Sequence, residues 1–383
     1  MPKPIPLSVP TIGGNAWRYI KDCLDTGWVS SVGRYVGAFE RSVSAYTGAK
    51  HAVAVVNGTA ALHLAAETLG LGPKDAVLVP ALTFIATANA MSYTGAECVL
   101  LDCEPRRFNL DLDRAEEGLE RVARRRGGRW TTKSGRRVRA IVATHILGYP
   151  MDMDAVAAFA RRNGLIVIED AAESLGSLWR GRHTGTFGAL GILSFNGNKV
   201  VTTGGGGMVL TADARLARAA KHLSTQAKAA DGEYIHDAIG HNYRLTNVLA
   251  ALGLSQIELL PKFLARRRAV AQAYRDALPG VPVEPDDARA TWNRWLFGVQ
   301  VADLKRRDLL LRRFAAAGIQ ARPLWRPVPL QAPYRRSPAA PIPEARRAYE
   351  TVVNIPSSSS LTEAQIARVV KILRAFPLVR LLA

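Results

Sequence analysis

The chain has 383 residues, 48% of them hydrophobic and 22% charged, with a formal net charge of +19. That length allows two or three domains, and the composition excludes a disordered or fibrous chain. No window approaches the ~18 consecutive apolar residues of a spanning helix, and MPKPIPLSVPTIGG lacks the apolar stretch of a signal peptide.

The first 45 residues are predicted to pack against the C-terminal region or across an interface. From His51 to Leu210, short apolar runs alternate with helical stretches. AVAVV (52–56) reads as a buried strand that turns into a helix at NGTAALHLAAETLG. AVLVP (76–80), CVLLD (98–102), AIVATHI (140–146) and LIVIED (165–170) are further strands, and ATANAMSYTG and DMDAVAAFARRNG are helical. SFNGNK and GGGMVLTA add two strand-like pieces. This alternation predicts an α/β domain with a mostly parallel sheet flanked by helices. Nine positive charges and no acidic residue lie between Arg121 and Arg139, which predicts a solvated loop. No zinc-finger spacing, RNP-type motif or basic-aromatic groove accompanies them, so no nucleic-acid partner is expected. After the polar stretch KAADGEYIHDAIGHNYRLTN, a helix is predicted to stop at Pro261. The division is therefore 1–260 for the N-terminal segment and large domain, and 261–383 for a smaller α+β domain. The latter holds helices at KFLARRRAVAQAYRDAL, LKRRDLLLRRFAAAG and TEAQIARVVKILRAF, the last N-capped by Thr362, and a strand at RWLFGVQVA. Cys23, Cys98 and Cys103 are odd in number and lack metal-ligand spacing. They predict free thiols in a reducing cytoplasm and no metal site.

One constellation carries chemistry. Asp170 ends the apolar run LIVIED, and Lys199 follows in LSFNGNKVVTTGGGGMV. A lysine amine can form a Schiff base with pyridoxal phosphate, while a buried carboxylate keeps the pyridine nitrogen protonated. A carboxylate at the end of such a strand is costly unless it is paired, and a ring nitrogen would be its partner. Glu169 and Glu173 add two acids at the same strand end. Asn57-Gly58-Thr59-Ala60 lies where a strand becomes a helix, so its N–H groups and hydroxyl suit a phosphate. Ser194 is placed to reach the same phosphate, and Phe84 to stack on a flat ring.

These residues, in this order from about Pro6 to Arg374, resemble the DegT/DnrJ/EryC1/StrS sugar aminotransferases. The resemblance implies the aspartate aminotransferase-type fold, Lys199 as Schiff-base lysine and Asp170 as partner of the pyridine nitrogen. It assigns Thr59, Ala60 and Ser194 to the phosphate, Phe84 to the ring face, and Glu173 to the phenolic oxygen, where the family usually has glutamine. It also implies that Asn242 of HNYRLTN enters the neighbouring subunit's phosphate site, making a homodimer with shared active sites. A branch with histidine in place of the lysine performs dehydration, which Lys199 argues against. The family's G-E-G-G is GGGG here (204–207).

DTGWVSSVGRYV, PALTFIATANA, GRHTGTFG, SFNGNK and LSTQAK resemble a narrower group that aminates C4 of a UDP-linked 4-keto-6-deoxy-N-acetylhexosamine with L-glutamate, releasing 2-oxoglutarate. Perosamine synthases, which act on GDP-4-keto-6-deoxymannose, are the alternative. Candidate substrate contacts are Trp28, Ser30, Arg322 and Trp325, with Arg322 suited to a diphosphate or carboxylate. A non-catalytic DNA-associated regulator would lack Lys199 or Asp170, or carry a DNA-binding element; the sequence does neither.

Overall fold

A computed structural model of the chain describes residues 3–229, 233–283 and 286–382; residues 230–232 of the long polar stretch lie outside the described residues. Two helices lead, α1 (Ala16–Asp25) and α2 (Arg34–Thr47). Then come β1 (His51–Val55), α3 (Gly58–Thr68), β2 (Asp75–Pro80), α4 (Ala86–Tyr93), β3 (Glu97–Leu101) and α5 (Ala115–Val122). They are followed by β4 (Ala123–Arg126), β5 (Arg129–Thr132), β6 (Arg137–Thr144), α6 (Met153–Asn163) and β7 (Ile166–Asp170). The short pair β8 (Leu178–Trp179) and β9 (Arg182–His183) precedes β10 (Leu190–Ser194), β11 (Gly207–Thr211) and α7 (Ala214–Ser224).

The large sheet has nine strands, in the order β1-β11-β10-β7-β6-β2-β3, with the β4–β5 hairpin joined to β6. Pairings from β3 to β10 are parallel, whereas β11 is antiparallel to both neighbours. Side-chain caps start the covering helices: Asn57 accepts from the Ala60 N–H, Asp152 from Ala155 and Asp213 from Arg215. The expected mostly parallel α/β sheet is therefore present.

The second region begins with α8 (Asn247–Ala277) and continues with β12 (Ala290–Thr291), β13 (Phe297–Gln300), α9 (Leu304–Ala316), β14 (Arg322–Pro323), α10 (Pro343–Thr351), β15 (Val352–Ile355), α11 (Glu363–Arg374) and β16 (Arg380–Leu382). Its sheet is antiparallel in the order β14-β15-β13-β16, and β12 pairs with β8. Thr362 caps α11 in a reciprocal box with Gln365.

Three expectations need correction. The basic 121–139 segment is not a loop but the end of α5, a β-hairpin and the start of β6. Ala123 and Trp130 turn inward and are buried, and the Trp130 Nε1–H donates to Asn163 Oδ1 at 2.8 Å. The chain can thus extend the sheet while its other face stays charged. SFNGNK is strand only at Ser194, where β10 ends. Finally, α8 does not stop at Pro261 but runs through it for 31 residues. A proline there removes one backbone hydrogen bond, and packing against α1, α2 and α11 outweighs that loss. The 260/261 division therefore falls inside a helix common to both regions. By length and composition α8 could also cross a membrane, contrary to the sequence expectation; half of its apolar window is buried in this protein and it serves as a core helix.

Arg267 ties α8 to the rest of the second region. It is 1% exposed, and its Nη1 donates to the Trp295 and Ser357 carbonyls, both at 2.7 Å. Burial pushes its pKa down to about 10. Arg267→Ala should leave two buried carbonyls and a cavity, costing about 3 kcal/mol or more in chemical denaturation. A loss below about 1 kcal/mol would show that Arg267 is not the tie.

Candidate active site

In a parallel sheet, ligands collect where the strands end at their carboxyl side. Register brings Thr144 of β6 and Ile192 of β10 beside Asp170 of β7 at that edge. On the next strand Gly207 pairs with both Ser194 and Val55, which brings the β1–α3 turn against β10. Two glycines permit this approach. A Cβ on Gly207 would lie 2.4 Å from the Asn57 carbonyl oxygen, and one on Gly58 would lie 2.9 Å from Ser194 Cβ.

The edge opens into a cavity of about 770 Å³, a size that suits a cofactor with its substrate. Thr59 and Ser194 line one end, where α3 begins. The Ala60 amide, expected to hold phosphate, instead donates to Asn57 Oδ1 at 2.7 Å. The anion-binding end is therefore left to Gly58, Thr59 and Ser194.

Asp170 lies deeper. Thr87 Oγ1 donates to its Oδ2 at 2.7 Å and the Ala172 N–H to its Oδ1 at 3.2 Å. Burial raises its pKa, against the pull of these hydrogen bonds and of Lys199. A cation beside it would restore the ionised form. Lys199 Nζ stands 3.6 Å from Glu173 Oε1 and 3.9 Å from the centre of the Trp295 ring. Burial lowers the pKa of Lys199, favouring the free amine that a Schiff base needs, while Glu173 and Asp170 oppose the shift. Glu173 accepts from the Leu147 N–H at 2.8 Å, and burial pushes its carboxyl up to about 7. A carboxyl stands where the resemblance implies a neutral glutamine, and its pKa is raised toward the neutral form by burial.

Phe84 is 54% exposed and lines the cavity, where its ring face is open to a flat partner. Arg322 and Trp325 also line it, from β14 and the loop that follows. Arg322 makes no side-chain hydrogen bond or ion pair with the described residues, so its guanidinium is available to an anion. Trp28 and Ser30 are elsewhere, beside the start of α8. Asn247 donates to their carbonyls, through Nδ2 to Trp28 at 2.7 Å and through its amide to Ser30 at 2.6 Å. They do not line the Lys199 cavity. Asn242 is exposed, bridges to Thr225, and is likewise outside that cavity. Glu169, grouped with the site acids in the sequence, turns away from it. It binds the Gly185 and Gly188 amides at 2.7 and 2.6 Å, and His145 Nε2 at 3.2 Å.

Thr87, Thr144 and Trp295 escaped the sequence reading. Thr87 could have been found from its place one turn after Phe84. Trp295 could not, because it comes from the other region.

Pyridoxal phosphate fits these residues. Gly58, Thr59 and Ser194 would hold its phosphate, Asp170 its ring nitrogen, Lys199 its aldehyde carbon and Phe84 its ring face. Two buried cavity-lining atoms, Thr144 Oγ1 and Asn354 Oδ1, lack partners among the described residues and offer further polar contacts.

The profile of the DegT/DnrJ/EryC1/StrS aminotransferase family matches residues 10–374. A GDP-perosamine synthase from Caulobacter vibrioides is 38% identical over 372 residues, covering 96% of each chain. One from Escherichia coli O157:H7 is 35% identical, covering 98% of this chain and 99% of its own. The crystal structure of the aminotransferase TlmJ from Streptoalloteichus hindustanus superposes with a TM-score of 0.88 at 30% identity, covering 97% and 98% of the two chains.

Lys199→Ala should fold but lose the covalent, borohydride-reducible attachment of pyridoxal phosphate; attachment at another lysine would overturn the assignment. For Glu173, the stabilisation from its protonated form is complete below the ordinary pKa of 4.5 and lost as pH rises through about 7. The cofactor-free Glu173→Gln protein should therefore gain stability over wild type from pH 4.5 to about 7, then stay level. The gain should be at most about 3 kcal/mol in thermal unfolding, and a pH-independent difference would refute it.

Proposed function

The chain belongs to the DegT/DnrJ/EryC1/StrS aminotransferase family and is a pyridoxal phosphate-dependent sugar aminotransferase; on that premise we propose that it aminates C4 of GDP-4-keto-6-deoxymannose, with L-glutamate as donor. The observation that carries the catalytic part is the largely buried Lys199 amine, its side chain 14% exposed, held 3.6 Å from Glu173 in one cavity with Asp170.

Bound pyridoxal phosphate supplies an electron sink for the bonds around the donor Cα. The chain does the rest. Asp170 would keep the ring nitrogen protonated, and its own raised pKa when unpaired is the cost that a cationic partner relieves. With the cofactor bound, Lys199 Nζ would be the base that takes the donor Cα proton and the acid that returns a proton to the sugar carbon in the second half-reaction. Its low pKa keeps the amine able to accept that proton. Glu173, 3.6 Å from the amine, balances the charge on Lys199 as the proton moves. Arg322 is placed for the diphosphate or the donor carboxylate.

The UDP-linked N-acetylhexosamine expected from the sequence finds no support among these relatives. Those named for a substrate, at 38% and 35% identity over nearly the whole chain, are GDP-perosamine synthases, which favours the guanosine sugar. The homodimer belongs to the same proposal: Asn242 is exposed and outside its own cavity, as a residue serving a partner's phosphate site should be. So does a cytoplasmic location, which the three free, buried thiols support.

Assays of the holoenzyme with each ketosugar should give a kcat/KM at least ten times higher for the GDP-linked one; a preference for the UDP-linked sugar would reverse the assignment. Asp170→Asn should retain the fold and bind cofactor while losing orders of magnitude in turnover, since an amide cannot hold the ring nitrogen protonated. In mixed dimers of Lys199→Ala and Asn242→Ala subunits, one site should receive both lesions and the other neither. Activity should then rise on mixing. No rise despite confirmed subunit exchange would place Asn242 in its own subunit's chemistry.

A further inference from the structure

Outside the cavity, α3 and the segment that follows residue 240 bring two imidazoles onto one carboxylate. His241 Nε2 lies 2.6 Å from Glu67 Oε2, and His63 Nε2 lies 3.6 Å from Glu67 Oε1. His63 and Glu67 are one helical turn apart on α3, so they share a face. One ligand atom from each of the three residues falls within 4.8 Å of the others. A four-coordinate zinc ion with ~2.0–2.2 Å bonds sets its ligand atoms ~3.3–3.6 Å apart. The two imidazoles face different oxygens of the Glu67 carboxylate, and side-chain shifts of about an ångström would bring one ligand atom from each residue to those spacings.

The surroundings are those of ligands held in place. Tyr243 Oη is 3.2 Å from His63 Nδ1, which fixes the ring and leaves Nε2 toward Glu67. The His241 ring stacks on Tyr243 with centroids 4.5 Å apart and planes at 14°. His63 is 7% exposed, so packing holds its imidazole in place. Glu67 and His241 are only partly buried, so a water can complete the coordination. Two imidazole nitrogens and one carboxylate suit a borderline transition ion; calcium and magnesium prefer oxygen alone.

We propose that His63, Glu67 and His241 form a zinc site that staples the segment carrying Asn242 to α3. The staple starts little more than one turn beyond Gly58 and Thr59, where that helix opens the catalytic cavity. Zinc is thus placed to set the position of residue 242 without touching the reacting atoms. This departs from the sequence expectation of no metal. Spacing could not reveal the site, because His241 is remote from the α3 pair in the chain.

The test uses tag-free holoenzyme, stripped with a chelator and titrated with zinc chloride by calorimetry, then with cobalt(II) for its visible absorption. The expected result is one ion per subunit and a cobalt spectrum of a four- or five-coordinate site. Glu67→Gln and His241→Ala lie on the open side of the cluster; each should weaken binding at least tenfold while circular dichroism stays native. Tyr243→Phe should weaken it about tenfold through the orientation of His63. His222→Ala removes a half-buried histidine paired with Asp237 and should change nothing. Absence of saturable zinc binding, or binding and a cobalt spectrum unaltered in His241→Ala, would overturn the proposal. Neither result would touch the amination assay, so the two readings fail separately.

Discussion

Everything in this fold serves the burial of three ionisable groups in one place. Asp170 and Glu173 are buried and Lys199 largely so, and for each of them desolvation is the largest influence on its pKa. In water the lysine would be an ammonium and both acids would be carboxylates. Burial moves each toward its neutral form, and the groups restrain one another because an amine and two acids cannot all be neutral and close without exchanging protons. The amine is thereby ready to react, and the Asp170 carboxyl gains most from a cationic ring nitrogen.

Holding these groups dry requires covers from several directions. Hydrogen bonds from Thr87 and Ala172 fix Asp170 at the end of β7, while Glu169, one residue earlier, faces the other way and anchors the 185–188 turn. The alternation of a strand sends these consecutive acids to opposite tasks. The lid over Lys199 is Trp295, which is 3% exposed and whose Nε1–H donates to the Asn198 carbonyl at 2.8 Å. Trp295 is in turn held by Arg267 of α8, which accounts for a buried guanidinium far from any acid. Reactivity at the lysine thus depends on a helix that contributes no atom to the cavity.

Much was legible in the chain itself. Apolar runs such as those ending in Val56, Pro80 and Asp170 marked strands of the large sheet, because period and length separate a buried strand from a helix, whereas β10 lay one run before the predicted SFNGNK. Lys199, Asp170, Thr59, Ser194 and Phe84 could be named because each lies just beyond a strand end, where a parallel sheet collects its ligands. Local caps were equally plain: Thr362 begins α11 through contacts made within one turn. Chemistry that depends on residue type and near neighbours is written locally.

What sequence could not decide depended on distant partners. Pro261 would end an isolated helix, yet α8 continues because α1 and α2 pack along it, and no local signal reports that gain. The Ala60 amide was lost to the phosphate site by the Asn57 cap, a choice between two acceptors that composition leaves open. Trp28 and Ser30 were drawn to the start of α8 by Asn247, and Trp295 was brought to Lys199 from the second region. The sequence determined which groups could do the chemistry, since reactivity belongs to residue types and strand ends. Only the tertiary structure decided which of them meet and how dry they are, because desolvation and long-range packing are properties of the assembled core and not of any segment in it.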